Sequence, residues 1–301
     1  MSENRVLLIS LSNIGDAVMT TPVLQSLHDN FPDAIIDIVG DQRSSEIFSN
    51  CAYRGETFHK EKRKLMRGGL GLINNLRKQK YDLVVDLRTD GLAYLLRTKK
   101  RLCKWQAEPY GPHAVEQHMG VIRSIHGNGK IPNCCIWPGE KDEKFAEEIL
   151  REYIDKKILG LGPGANWPGK VWPQKNYLLL IDALKNDFDA VVLLGDKRDQ
   201  ESSGAFDKNN SLPVINLCGK TNLLQVAAVQ KKMKLFIGND SGLGHLASAV
   251  DIPTITIFGP GQPDRYRPWG PKARWLVGAE QNINNITVTD VIQCINSGST
   301  S

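Results

Sequence analysis

Residues 158–164 read ILGLGPG, an apolar run that ends in glycines, and the chain has already opened in a similar way, with VLLISLSNIGD at residues 6–16. A buried strand that runs into a glycine-bearing turn and then a helix is how a doubly wound α/β sheet begins. A chain that does this twice reads as two such domains. Its 301 residues agree, being near twice the usual domain length.

Outward from these two starts, further apolar runs have the length and continuity of strands buried on both faces. Val6–Ser10, Ile35–Val39 and Leu83–Asp86 come before the restart, and Ile158–Leu161, Val191–Leu194, Leu235–Ile237 and Thr254–Phe258 make up the second half. Helical periodicity lies between most of them. Ala17–Asn30 carries Val18, Val23, Leu24 and Leu27 along one side, with Pro22 as a local disturbance, and Asn176–Lys185 follows the same logic. Strands alternating with helices predict parallel sheets joined by right-handed crossovers. The charged stretch EKDEKFAEEILREYIDKK (140–157) reads as a helix linking the halves, so the expected domains are 1–152 and 153–301.

With 41% apolar and 24% charged residues, the composition is that of an ordinary soluble globular protein. No apolar run approaches the roughly 18 residues that span a bilayer, and Met1–Asn4 lacks the basic start of a secretory signal, which predicts a cytoplasmic protein without a transmembrane segment. Six cysteines at 51, 103, 134, 135, 218 and 294 contain no C-x-x-C pair, so neither a metal site nor a disulfide framework is expected. The net charge of +5 hides a local bias: residues 54–104 hold 15 Lys plus Arg against 5 Asp plus Glu. The runs HKEKRKLMR (59–67) and RTKKRLCK (97–104) are either solvated faces or a surface for nucleic acid, a phosphorylated glycolipid or an anionic membrane.

In doubly wound sheets ligands bind beyond the carboxyl ends of the strands, and four groups of residues follow strands here. After the first strand, Gly15 permits a sharp turn and Asp16 stands where a helix begins, as a helix cap or as a general base at the floor of a cleft. In GLGPGANWPGKVWP (160–173), four glycines including Gly164, together with Lys170, suit a loop whose amides and ammonium face phosphate oxygens. It is not a Walker A loop, because Val171 follows the lysine, and Trp167 breaks the dinucleotide G-x-G-x-x-G pattern. In LFIGNDSGLGHLASAV (235–250) a strand delivers Asn239, Asp240, Ser241 and Gly242 to the start of a helix that carries His245, either as free amides that suit a pyrophosphate or as an Asp or Ser helix cap with a structural histidine. In IFGPGQPDRYRPWGP (257–271), Arg265 and Arg267 are within chain reach of an anion, and a rigid surface loop explains the stretch equally well.

Five segments in this order resemble glycosyltransferase family 9, the ADP-heptose:lipopolysaccharide heptosyltransferases: NIGDAVMTTPVLQSL, YDLVVDLRTDGLAYLL, PGANWPGKVWP, LLGDKRDQE and GNDSGLGHLASAVDIPTITIFGP. The resemblance implies a GT-B fold, two Rossmann-like doubly wound domains facing across a cleft, acceptor on the first and nucleotide sugar on the second. It implies inverting transfer of a heptose from ADP-heptose to a lipopolysaccharide inner-core acceptor, without a cofactor or an essential metal. Asp16 matches the family's catalytic aspartate. Lys170 matches the lysine that meets the donor phosphates, and Asp240, Ser241, Gly242 and His245 match the segment that holds pyrophosphate and sugar. Asp199 matches an acidic position that contacts the nucleotide ribose.

The resemblance also places the basic runs in the acceptor half, with Lys62, Arg63 and Lys64 expected to meet an anionic glycolipid, rather than nucleic acid, at the cytoplasmic face of the inner membrane. Alternative readings are a family 9 transferase using another nucleotide sugar in surface-polysaccharide assembly, and a GT-B protein that binds nucleotide sugar without transfer. A UDP-N-acetylglucosamine 2-epimerase shares the architecture but leaves Gly15-Asp16 and the basic runs unexplained. An NAD-dependent oxidoreductase is disfavoured because neither half carries G-x-G-x-x-G after its first strand.

Overall fold

The computed structural model describes residues 4–60, 67–88, 91–207 and 211–297. The chain divides into two compact units, Met1–Trp137 and Pro138–Ser301.

The first unit holds strands β1 (Arg5–Ile9), β2 (Ile35–Gly40), β3 (Arg54–His59), β4 (Tyr81–Asp86) and β5 (Thr98–Cys103). Its helices are α1 (Ile14–Val18), α2 (Thr21–Asn30), α3 (Arg67–Leu76), α4 (Ala114–Val121) and α5 (Arg123–His126). All strand pairs are parallel, in the order β3-β2-β1-β4-β5. The second unit begins with helix α6 (Glu140–Ile149) and continues through β6 (Ile158–Gly162), α7 (Gln174–Ala183), β7 (Ala190–Leu193), α8 (Asp199–Ser203), β8 (Val214–Asn216) and α9 (Leu223–Lys231). It closes with β9 (Leu235–Asn239), α10 (Gly242–Ala249), β10 (Thr254–Phe258), α11 (Pro263–Tyr266), β11 (Ala273–Val277) and α12 (Val288–Asn296). Its parallel sheet runs β11-β10-β9-β6-β7-β8.

Numbered within each unit, both sheets follow the 3-2-1-4-5 order of the Rossmann type, and the second adds a sixth strand. The strand order reverses between β1 and β4 in the first unit and between β6 and β9 in the second. Those two places are where loops at the carboxyl ends part and leave room for a ligand.

All seven strands expected from the apolar runs are present. The expected helix Ala17–Asn30 is two helices: α1 ends at Val18, and Thr20 is the N-cap of α2, with Pro22 in its first turn where a missing N–H costs no helical bond. The break is held from inside, since the buried Thr20 hydroxyl donates to Ala17 O at 2.7 Å and shares a 2.9 Å bond with Ser10 Oγ.

The boundary also differs from the expected residue 152. Helix α6 is no linker: Ala146 and the following Leu150 are fully buried, and the helix packs on α9. Glu143 pairs with Lys231 and Lys232, and Glu147 with Lys232 at 3.4 Å.

A buried carboxylate clamps the first sheet. Asp37 on β2 takes both arms of the Arg5 guanidinium, at 2.7 and 3.2 Å, and accepts from Tyr81 Oη at 3.0 Å and Glu56 N at 2.8 Å. One side chain thus ties β1, β2, β3 and β4, with the geometry and extra hydrogen bonds that a buried ion pair needs. Among the described residues no helix is long and apolar enough to cross a membrane.

Candidate functional site

In the second unit the predicted residues gather where the strand order reverses. β6 ends at Gly162 and β9 at Asn239, whose side chain organises the loop between β6 and α7. Its Nδ2 donates to Pro163 O at 2.7 Å, and its Oδ1 accepts from Trp172 N at 3.1 Å and Tyr177 Oη at 2.9 Å. Asn239 is fully buried, so leaving any of these groups unmet costs its full desolvation. The loop from Pro163 to Trp172 is therefore fastened at both ends by one residue. Nothing local in the sequence marks Asn239 for this part, because its partners lie 62 to 76 positions away.

That fastening presents Lys170, on a turn of 3₁₀ helix (Pro168–Lys170), to Asp240, the residue after β9. The ammonium forms an ion pair with Asp240 Oδ2, the side chains being 26% and 13% exposed. Ser241 is the N-cap of α10 in extended conformation; its buried hydroxyl makes no hydrogen bond among the described residues. Gly242 starts the helix, and His245 lies buried one turn in.

Gly164 stands on the other side of the same loop, where a Cβ would come within 2.1 Å of Asp199 Oδ1. Only glycine lets Asp199 approach this closely. The Asp199 carboxylate accepts from Asp196 N at 2.8 Å, and burial pushes its pKa above the ordinary aspartate value. The structure thus brings the predicted donor residues together as two contacts, Gly164 with Asp199 and Lys170 with Asp240, beside the amino end of α10. Arg267, expected within reach of an anion, is instead engaged within its own loop: it donates to Asp264 O at 3.0 Å and lies 4.5 Å from the Trp275 ring centre.

The sequence contains one Asp-x-Asp triplet, Asp187–Phe188–Asp189, of the kind metal-dependent transferases use. It sits at the amino end of β7, the opposite end of the sheet, where Asp189 accepts from Lys157 N at 2.8 Å. Among the described residues no group of three or more His, Cys, Asp or Glu is arranged to hold a metal ion.

In the first unit, Asp16 follows β1 close to the reversal point. The sharp turn expected at Gly15 is not there: Gly15 is inside α1, and the glycines of positive φ among the described residues are Gly91, Gly127, Gly219 and Gly270. Nor is Asp16 the cap of α1, a position held by Asn13. It is the third helical residue, half-buried, and its carboxylate accepts from Asn13 Nδ2 at 2.8 Å. The preceding loop is pinned by Arg88, which follows β4: Nε donates to Ser10 O at 2.6 Å, a second nitrogen donates to Ser12 Oγ, and its own amide donates to the buried Asp86 at 2.8 Å.

Lys62, Arg63 and Lys64 lie outside the described residues. The second basic run is strand β5 at the sheet edge, where Lys99 pairs with Asp82 at 2.5 Å and Arg101 donates to Ala93 O at 2.7 Å. Charge along an exposed edge strand guards against edge-to-edge pairing, which accounts for part of this run without a ligand.

The family model of glycosyltransferase family 9 (heptosyltransferase) matches residues 91–296. The chain belongs to glycosyltransferase family 9. It is 27% identical to lipopolysaccharide heptosyltransferase 2 of Salmonella typhimurium, over 90% of this chain and 87% of that one. Its fold is similar to a family 9 glycosyltransferase from Veillonella parvula, with TM-score 0.85 at 20% identity, covering 99% of this chain and 97% of that one. The ADP-heptose heptosyltransferase II of E. coli is also similar, with TM-score 0.79 at 23% identity over 97% and 98% of the two chains. Two parallel α/β units in these orders are the two Rossmann-like domains of a GT-B glycosyltransferase.

Proposed function

We propose that this family 9 transferase moves a heptose from ADP-heptose to an inner-core lipopolysaccharide acceptor with inversion, the second unit holding the donor and the first the acceptor. The observation that carries the reading is the gathering, at the reversal point of the second sheet, of Lys170, the amino end of α10 and the Ser241 hydroxyl, which has no hydrogen-bond partner among the described residues. An ammonium, a hydroxyl and a helix start together match the charge and geometry of a diphosphate.

The chemistry is a single displacement. Asp16 accepts the proton of the acceptor hydroxyl as its oxygen attacks the anomeric carbon, the bond from that carbon to the phosphate oxygen breaks, and the diphosphate leaves with the electron pair. One base suffices because inversion needs no covalent intermediate. Lys170, the Ser241 hydroxyl and the backbone amides at the α10 start meet the charge that develops on the leaving group. His245 and Asp199 belong to the donor side of this reading, with Asp199 facing the ribose beside Gly164. The acceptor is an anionic glycolipid at the cytoplasmic membrane face, met in part by Lys62, Arg63 and Lys64.

Calorimetric titration with ADP, UDP and GDP tests the donor assignment. Selective ADP binding that weakens at least tenfold in Lys170→Ala is expected, that being the scale of a charged hydrogen bond to phosphate. Preference for UDP or GDP would move the reading to another nucleotide sugar. Binding of none would overturn it.

A further inference from the structure

The cation assigned to the donor phosphates is paired with a carboxylate of the protein itself. Lys170 and Asp240 are each other's only side-chain partner among the described residues, and both are partly shielded from water. They come from separate loops, after β6 and after β9, so the pair closes across the reversal point itself. A diphosphate arriving there meets a neutralised ammonium and a carboxylate of its own sign.

We propose that Asp240 is an internal counter-ion that competes with the nucleotide diphosphate for Lys170 and thereby sets the affinity for nucleotide. This rests on the reading that Lys170 meets the donor phosphates. When diphosphate takes Lys170, Asp240 loses its cation and needs new hydrogen-bond donors, since a shielded carboxylate left unpaired is costly. The hydroxyls of a bound sugar supply them. ADP alone carries no such sugar, so Asp240 reclaims Lys170 and the product is held less tightly than the donor. The carboxylate therefore discriminates between the two states of the same nucleotide, by exchange of partners and without any new contact to the base or ribose.

The test is calorimetric titration of the intact protein with ADP, on wild type, Asp240→Asn, Lys170→Ala and the double variant, with thermal unfolding to check that each is folded and Asp240→Ala as a second neutral variant. Competition predicts that Asp240→Asn binds ADP more tightly, by roughly three- to tenfold, the size of a partly shielded ion pair. In the Lys170→Ala background only the bare repulsion is left to relieve, so the same substitution is expected to give a clearly smaller gain there. Unchanged or weaker ADP binding by both neutral variants would overturn the proposal. An equal gain with and without Lys170 would also overturn it, by showing plain repulsion in place of competition. Failure of the underlying reading looks different: Lys170→Ala would leave ADP affinity as it is, or the wild type would not bind ADP.

Discussion

Asn239 shows how one residue fixes a site that its neighbours carry out. Its amide makes contacts on three sides, and an alanine there strands the Trp172 amide and leaves the Tyr177 hydroxyl only the long 3.5 Å contact with Gly162 O. Asn239→Ala is expected to lower unfolding free energy by roughly 2 to 4 kcal/mol, measured by urea denaturation, and to weaken ADP binding because the Lys170 loop is released. At this scale the position of Lys170, Asp240, Ser241 and His245 beyond strand ends is legible, since glycines and a lysine following apolar runs announce loops there. The parts played by Asn239, Arg88 and Asp37 are not, because what defines each is a partner distant in sequence. The helix-cap alternative for Asp16 was also wrong, for a local reason: the helix starts two residues before it, so Asp16 lies inside the first turn.

Among the elements, the strands that apolar runs revealed and those they concealed divide cleanly. Every expected strand is present, and β3, β5, β8 and β11, the four not expected, are the four sheet edges. Interior parallel strands are covered on both faces and read as continuous apolar runs, whereas an edge strand carries charge and partial exposure, as TKKRLC does in β5. Legibility thus follows burial. The loop between β1 and α1 depends on another element, since Arg88 after β4 grips it at two points. If Asp16 is the base, as proposed, Arg88 positions it through this loop. Arg88→Ala should lower kcat by on the order of 10- to 100-fold with donor KM and ADP affinity unchanged, and Arg88→Lys, which keeps one contact of the fork, should fall between. A parallel rise in donor KM would contradict this assignment.

Across the whole molecule, the duplicated α/β pattern was readable from two similar openings, but the division between the units was not. Helix α6 looks like a linker because most of its residues are charged; Ala146 and the following Leu150 are nevertheless buried, and its acids pair with lysines of α9. Expression of residues 138–301 is therefore expected to give a fragment with a higher melting temperature than residues 153–301, since only the first keeps the cover over α9. Equal melting temperatures would restore the linker reading. In the proposed mechanism the two Rossmann-type units divide the labour, the base lying in one and the diphosphate site in the other.

The most direct measurement is ADP release from ADP-heptose, followed with and without an inner-core lipopolysaccharide acceptor, in the wild type and in Asp16→Asn. Release that requires acceptor and falls about 10²- to 10⁴-fold in the variant, with ADP affinity retained, is the predicted result. Acceptor-dependent release that proceeds at the wild-type rate in Asp16→Asn, or no release by the wild type, would contradict it.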